Sequence, residues 1–452
     1  MRVSFFDLMP FRMTTAFFVL LWTACLSVSL WVSAPASAQD IAFRQGVAEA
    51  AIPGDSSIAA FYRARSYAPL WTDPTRGLAR RQALFEALDR ASLHGLPTSR
   101  YQRAALLERL ADAVSARDRG TVEVALSRAF VQLASDLQAG ILDPGATVEA
   151  IKRKVRAPDA VQVLEEFATA EPRAFVQDLA PDTPEYRALL RSKLHLERVI
   201  ADGGWGSRVP ERKLALGDRG PGVVALRNRL QVMGYLGRSF TARYDRSMMT
   251  AIRRAQEVHG LEVDGVAGPS TIKELNVSAA ERLQSVLVAL ERERWLNATG
   301  STEEDAGTVS RQIVVNLTDF SARVYDDGAQ SFYTRAVVGM NRNDRRSPEF
   351  SDVMEHMVIN PTWHVPRSIT VKEYLPKLRA NPNAVSHLRI VNRRGQVVSR
   401  ANIDFAAYSP GSFPYSLKQP PSRSNALGLV KFMFPNEYNI YLHDTPHKKL
   451  FA

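Results

Sequence analysis

The hydrophobic periodicity of this sequence changes at Arg311. Before it, apolar residues recur every three or four positions, as in the stretch 121–138, which predicts amphipathic helices. After it they alternate with polar residues, as at Ile313, Val315 and Leu317, which predicts short strands with two unlike faces. The two periods cannot coexist in one element. We therefore predict a multi-domain α+β chain, with a helical part followed by a β-rich, sandwich-like part.

The predicted helical part is a scaffold over residues 39–210. It returns in one more helix after residue 278, and the small and polar residues that follow predict a linker as far as residue 310. No acid, base and nucleophile types cluster in the scaffold. We therefore expect it to support other domains rather than to carry chemistry.

A compact three-helix module is predicted between these two parts, over residues 211–277. The Gly-rich segment 217–222 precedes a helical stripe that begins at Val223. A second helix surrounds Met248, and a third follows an Asp-Gly turn.

The first 38 residues have the layout of a secretory signal peptide. Arg2 and Arg12 precede an apolar run at 16–32, and Ala-Ser-Ala follows at 36–38. The run of about 17 residues is at the lower limit for crossing a bilayer, so an uncleaved N-terminal anchor is the alternative. A cleaved signal peptide and an uncleaved anchor both predict export of the rest of the chain. Cys25, the one cysteine of the chain, lies in this run, which excludes an intramolecular disulfide framework and Cys-based metal clusters.

The net charge of +11 fits contact with anionic polymers of a cell envelope or with lipid head groups. Nucleic acid is the other common partner of a basic chain. However, the sequence contains no helix-turn-helix, zinc-finger or RNA-binding signature, and export argues against such a role. We predict no nucleic-acid partner.

His443 is the candidate catalytic residue. If residues 438–443 form one strand, Tyr441 and His443 share a face suited to a cleft, and the alternate residues suit a core. An imidazole at a strand end can act as a general base, because its pKa lies near physiological pH. A cleft histidine that only donates and accepts hydrogen bonds is the alternative.

A zinc site formed by His443 and His447 is disfavoured, because an H-x-x-x-H pair needs a helix and Pro446 lies between the two. Gly-rich phosphate loops and G-x-S-x-G elbows are absent from the sequence. We predict no metal and no cofactor.

The last third of the chain resembles the YkuD-type L,D-transpeptidase domain, and residues 211–277 resemble the peptidoglycan-binding domain of cell-wall enzymes. The whole chain resembles the large Gram-negative L,D-transpeptidases of the YcbB type. The matching stretches, in the family's order, are FYRARSYAPLW from Phe61, ALSRAFVQLASDLQAGILDP from Ala125, LAPDTPEYRALL from Leu179, LALGDRGPGVVALRNRLQVMGYL from Leu214, ALERERWL from Ala289, VVGMNRNDRRSPEFSDVMEHMVINPTWHVPRSI from Val337, FPYSLKQPPSRSNALGLVKFMFPN from Phe413 and YNIYLHDTPHKKLF from Tyr438.

The resemblance implies a catalytic domain over 311–452, with a lid at about 371–428. It also implies a reaction. A cysteine thiolate attacks the donor stem peptide after its third residue, usually diaminopimelate, and releases D-Ala. The acyl group then passes to a neighbouring stem, which gives a 3–3 cross-link, or to a lipoprotein. Whether the peptidoglycan-binding module binds its polymer or serves as a structural insert stays open.

The resemblance assigns His443, in its YLHDTP context, as the catalytic histidine. Tyr441 is a candidate wall of the peptide site, and Asn425, Gly428 and Asp444 are further substrate-binding candidates. The implied partners are diaminopimelate-containing stem peptides and the cell-wall synthesis machinery of the inner membrane. The implied location is the periplasm.

One departure from the family concerns the nucleophile. The family's S-x-G-C-x-R motif places its cysteine about 19 residues after the histidine, which is about ten residues beyond Ala452. Cys25 cannot replace it. We expect that the sequence is truncated and that the chain as given is inactive; a frameshifted gene and an inactive homologue are the alternatives. An alternative function is a non-catalytic peptidoglycan-binding or scaffolding protein.

Overall fold

The computed structural model describes residues 38–451 with short gaps, which are residues 52, 53, 55, 211, 212, 299–310, 341, 343 and 344. The predicted signal segment, including Cys25, lies outside the described residues except for Ala38, and so does most of the predicted linker. Within the described residues, no helix is both long enough and apolar enough to cross a membrane.

The scaffold is built around one long helix, α5. Its close contact with α1 depends on Gly46 and Gly120, because a Cβ at either position would overlap the backbone of the other helix. A capping box between Ser115 and Asp118 starts α5. The scaffold helices are α1 (Ala38–Ala50), α2 (Ser56–Ala64), α3 (Gly77–Arg90), α4 (Arg103–Asp112), α5 (Ala116–Ala139), α6 (Pro144–Thr147), α7 (Ala160–Thr169), α8 (Pro172–Gln177) and α9 (Pro184–Ala201).

A buried carboxylate organises the scaffold core. Glu123 on α5 is fully buried and accepts the backbone N–H groups of Leu70, Trp71 and Thr72 at 2.5–3.1 Å. It also accepts the Tyr62 hydroxyl at 2.7 Å. The carboxylate thus holds the connection after α2 against α5, since each of these donors would otherwise be buried without a partner.

Three helices form the module, as predicted: α10 (Pro221–Val232), α11 (Arg246–Val258) and α12 (Pro269–Leu275). The predicted Asp-Gly turn is fixed by Gln256. Its Nε2 donates to Asp264 Oδ1 at 2.8 Å, and its Oε1 accepts the Gly265 N–H at 2.9 Å.

Helix α13 (Ala279–Ala298) returns to the scaffold and packs along α9 and α5. Its buried Glu291 accepts the backbone N–H groups of Ile141 and Leu142 at 2.6 and 2.8 Å. Arg294 donates to the other oxygen of Glu291 at 2.9 Å. The same helix therefore closes the end of α5 and leads out of the module.

The C-terminal part contains, in its described residues, three antiparallel three-stranded sheets, with the orders β1-β2-β3, β4-β8-β9 and β5-β7-β6. Its elements are β1 (Arg311–Asn316), β2 (Ser321–Asp326), β3 (Ala329–Arg335), β4 (His356–Ile359), β5 (Trp363–His364), α14 (Arg367–Ile369), α15 (Leu375–Ala380), β6 (Arg389–Val391), β7 (Ser416–Gln419), β8 (Val430–Met433) and β9 (Leu442–His443). Helices followed by strands give the α+β organisation that the change of period predicts.

The C-terminal part contacts the scaffold through Glu349. Its N–H donates to the carbonyl of Ala150 at 2.9 Å, and its carbonyl accepts the N–H of Lys152 at 2.8 Å. The Glu349 carboxylate pairs with Arg292 of α13 and lies 3.9 Å from Nε of Arg153. Backbone and side chain together join the two parts at one residue.

The prediction of a strand over 438–443 is wrong for its first four residues. Only Leu442 and His443 pair with β8. The Asn436 Oδ1 accepts the N–H groups of Tyr438 and Ile440, and its Nδ2 donates to the Ile440 carbonyl, which folds the segment into a loop. The alternation of faces therefore does not extend from His443 back to Tyr438.

Candidate active site

His443 lies at the exposed end of β9. Its Nδ1 is 2.5 Å from the carbonyl oxygen of Asp444. If that nitrogen carries the proton and donates, Nε2 remains unprotonated and can accept a proton from a nucleophile. The neighbouring backbone thus selects the tautomer that a general base requires.

Asp444 holds the turn that follows His443. Its carboxylate accepts the N–H of Thr445 at 2.7 Å and pairs with Lys448. The bond from Lys448 lowers the pKa of Asp444 below its usual value, so this carboxylate is ionised at neutral pH.

Gly428 approaches the same turn from the other side. It has φ +73°, and a Cβ there would overlap the Cβ of Asp444. The N–H of Asp444 donates to the carbonyl of Leu427 at 3.3 Å. Glycine is therefore required by both the backbone conformation and the close approach.

Asn425 is buried, and its amide is engaged by the backbone. Nδ2 donates to the carbonyls of Pro361, Gln419 and Pro420 at 3.0–3.3 Å, and Oδ1 accepts the N–H of Leu427 at 2.8 Å. These contacts fix the loop between β7 and β8. Substrate binding by Asn425, Gly428, Asp444 and Tyr441 stays a prediction.

Lys431 is a site neighbour that the sequence pattern did not single out. It pairs with His443 across the β8–β9 ladder, and its Nζ lies 3.6 Å from the centre of the Tyr441 ring. Opposed residues of an antiparallel pair share a face. The alternation of Val430, Lys431 and Phe432 was the available signal, because it turns Lys431 away from the apolar face.

His364 on β5 is a second residue that was missed. Burial lowers its pKa, and the charges of Lys418 and Lys431 lower it further. The imidazole is therefore neutral at pH 7, and the two lysines make this side of the site electropositive.

The predicted lid at 371–428 has an apolar core of its own. The core brings together residues from α15, β6, β7 and the connections between them, which are Leu375, Leu378, Leu388, Ile390, Ile403, Phe405, Phe413 and Leu417. Val365, which follows β5, packs into the same core. The segment is therefore a packed unit and not an extended loop.

Three family profiles match the chain, in order. The scaffold domain matches residues 56–192, the "Putative peptidoglycan binding domain" matches 219–275, and the L,D-transpeptidase catalytic domain (YkuD) matches 310–452. The "Putative L,D-transpeptidase" of Haemophilus influenzae is 36% identical over 141 residues, which cover 31% of this chain and 28% of that protein. The match thus spans less than a third of that relative.

The β-rich part around His443 therefore belongs to the YkuD L,D-transpeptidase catalytic domains. With the scaffold and the peptidoglycan-binding domain before it, the chain has the domain architecture of the large L,D-transpeptidases of the YcbB type.

Proposed function

We propose that the intact protein is a peptidoglycan L,D-transpeptidase that works through a cysteine acyl-enzyme with His443 as its proton acceptor. The observation that carries this proposal is the position of His443, which lies inside the YkuD match with Nδ1 on the Asp444 carbonyl and Nε2 left to receive a proton.

In the proposed reaction, His443 takes the proton of a cysteine thiol as the sulfur attacks the donor carbonyl. The tetrahedral intermediate collapses with cleavage of the peptide bond, and the proton passes to the departing amine of D-Ala. An amine of a second stem then attacks the thioester, which forms the 3–3 link and frees the thiol. Attachment of a lipoprotein amine follows the same steps.

The reaction requires a thiol, and residues 26–452 contain no cysteine. The proposal therefore concerns a protein in which a cysteine follows His443 in an S-x-G-C-x-R context. Sequencing the DNA downstream of codon 452 is the direct test. An in-frame S-x-G-C-x-R supports the proposal, whereas a stop codon at that point contradicts it.

A biochemical test uses the full-length protein and a carbapenem. We expect a covalent adduct by mass spectrometry in the wild type. Replacing the proton acceptor in His443→Ala should slow its formation about a hundredfold or more. His387→Ala, which changes an exposed histidine of the lid, is the matched control and should acylate normally. Equal rates in the two variants would remove His443 from the mechanism.

The second candidate is a non-catalytic peptidoglycan-binding or scaffolding protein. It is favoured by the match of residues 219–275 to a putative peptidoglycan-binding domain. A pull-down on purified sacculi tests it. Protein that stays wholly in the supernatant rules this candidate out.

We also propose the periplasm as the location and the inner-membrane cell-wall machinery as a partner. The sequence of residues 1–38 and the peptidoglycan-related domains support the location. Fractionation of cells that express the full-length chain tests it, since a signal peptide places the protein in the osmotic-shock fluid.

A further inference from the structure

A cleft of about 690 Å³ lies between the peptidoglycan-binding module and the scaffold helices α9 and α13. One face of each helix forms its floor, with lining residues at helical spacing (Ala188, Leu189, Arg191, Ser192, His195 and Leu196 on α9; Arg282, Ser285, Val286 and Ala289 on α13). The wall includes Trp205 from the connection after α9, and Tyr235 and His259 from the module. The cleft is remote in sequence from His443.

The wall of this cleft is held in place by hydrogen bonds. The Tyr235 hydroxyl lies 3.1 Å from Nε2 of His259, whose Nδ1 lies 3.4 Å from Glu274. Arg282 donates to the same carboxylate at 2.5 Å. Tyr235, His259 and Arg282 are thus positioned by one acidic residue behind them, which gives the preformed geometry that ligand sites require.

Two buried N–H donors at the cleft lack an acceptor. They are Nε1 of Trp205 and Nε of Arg282, which have no hydrogen-bond partner within the described part of the chain. A buried donor without a partner is costly, so such a group points to an acceptor that is supplied from outside. Both are donors, which indicates a ligand rich in carbonyl, hydroxyl or carboxylate oxygens.

The other lining residues further restrict the chemical class of the ligand. Arg191 is exposed and, among the described residues, forms no ion pair, so it remains available to a carboxylate. The Trp205 indole and the apolar floor formed by Leu189 and Val286 suit the apolar face of a sugar ring. A fragment that carries both sugar rings and carboxylates satisfies all of these groups.

We propose that this cleft is a non-catalytic binding site for a disaccharide–stem-peptide unit of peptidoglycan. The ligand oxygens accept from Trp205 and Arg282, and a stem carboxylate pairs with Arg191. The site would hold the polymer by the scaffold and the module together, which the module's three helices could not do alone. The inference rests on the proposed function only in taking peptidoglycan as the available polymer.

Calorimetric titration of the chain from residue 39 with purified disaccharide–tetrapeptide tests the proposal. Arg191→Glu should raise the Kd about tenfold, the loss expected for one charge-assisted hydrogen bond. Arg246→Glu makes the same charge change on an exposed arginine of α11 outside the cleft lining, and should leave the Kd unchanged. Trp205→Phe keeps an aromatic ring, removes the N–H and should weaken binding by a smaller factor.

Two further measurements distinguish binding in this cleft from binding at the catalytic domain and from binding to a lipid surface. In the full-length protein, Arg191→Glu should keep the wild-type rate of carbapenem acylation, so a parallel loss of acylation would place the lost binding at the catalytic domain and overturn the inference. Equal Kd values for Arg191→Glu and Arg246→Glu, or no binding by a correctly folded wild type, would also overturn it. Binding to anionic phospholipid vesicles that Arg191→Glu abolishes, without binding to the fragment, would assign the cleft to a lipid surface instead.

Discussion

Lys431 lies directly opposite His443 in the antiparallel β8–β9 pair, and its ammonium group is 3.6 Å from the centre of the Tyr441 ring. The ring faces a cation at a distance typical of a favourable cation–π contact. Burial lowers the pKa of Lys431. A cation on the same face of the β8–β9 pair as His443 can attract a carboxylate of a donor peptide or stabilise an oxyanion.

Removal of this cation should weaken donor binding. In the full-length protein we expect Lys431→Met to raise KM for a stem-peptide donor about tenfold, since one charge-assisted contact is lost. Lys431→Arg keeps the positive charge and should raise KM by a smaller factor. Lys377→Met is the matched control, because Lys377 also lies over a tyrosine ring, Tyr374, at 5.6 Å. An equal rise in KM for Lys377→Met would contradict a specific role for Lys431.

Gly428→Ala should destabilise the turn that carries Asp444. The left-handed conformation at φ +73° and the overlap with Asp444 both oppose a methyl group. Gly395 has φ +79° but open space around it, so Gly395→Ala isolates the backbone effect. We expect about 1–2 kcal/mol of additional loss for Gly428→Ala, measured by hydrogen exchange at residues 442–445. Equal losses would show that the close approach does not matter.

Asn425→Ala should release the loop between β7 and β8. The substitution leaves three backbone carbonyls without their donor, which costs about 2–3 kcal/mol in a buried site. Asn425→Asp should reduce the stability of the loop further when the new carboxyl group is ionised, because its negative charge would face those carbonyls. Protonation of the carboxyl group in acid should restore part of that stability. Asn402→Ala alters an exposed residue and is the control. Limited proteolysis of the loop reports the difference, and unchanged cleavage would contradict it.

Glu349→Gln should loosen the C-terminal part from the scaffold. The change removes the charge that faces Arg153 and Arg292 but keeps the backbone bonds to residues 150–152. We expect faster hydrogen exchange at those residues, with the scaffold core unaffected. Glu355→Gln, at an exposed glutamate, should have no effect. Similar exchange in both variants would show that the Glu349 charge does not contribute to the contact.

His94 should make the scaffold sensitive to acid. Burial, with the charges of Arg294 and Lys193, lowers its pKa to about 4 from 6.5. The unfolded chain therefore binds this proton more readily, and the stabilisation is complete above pH 6.5 and is lost as pH falls towards 4. We expect roughly 2–3 kcal/mol of loss across this window. Unfolding curves of His94→Gln should show a smaller loss of stability between pH 6.5 and pH 4, whereas those of His387→Gln should match the wild type.

The hydrophobic pattern was sufficient to predict that a helical scaffold and a three-helix module precede a β-rich part. Helical spacing predicted α5 and the module helices, and an Asp-Gly pair predicted the turn before α12, where Gly265 has positive φ. These features depend on residues close together in the chain. Short stretches of sequence are therefore sufficient to specify them.

Contacts between distant residues required the tertiary structure. Nothing near Glu123 indicates that its carboxylate binds the connection after α2, because its partners lie more than 50 positions away. The cleft between the module and α13 arises in the same way. The strand predicted at 438–443 failed because Asn436 binds the backbone ahead of it, a local competition that an alternating pattern does not reveal.

The sequence by itself determined the domain order, the family resemblance and His443 as the candidate base. Only the tertiary structure decided that Lys431 faces His443, that Gly428 makes room for Asp444, and that Glu349 joins the scaffold to the β-rich part. The physical reason is that periodicity records which face of an element is apolar. The pairing of two faces depends instead on strand register and packing, which are set by the whole chain.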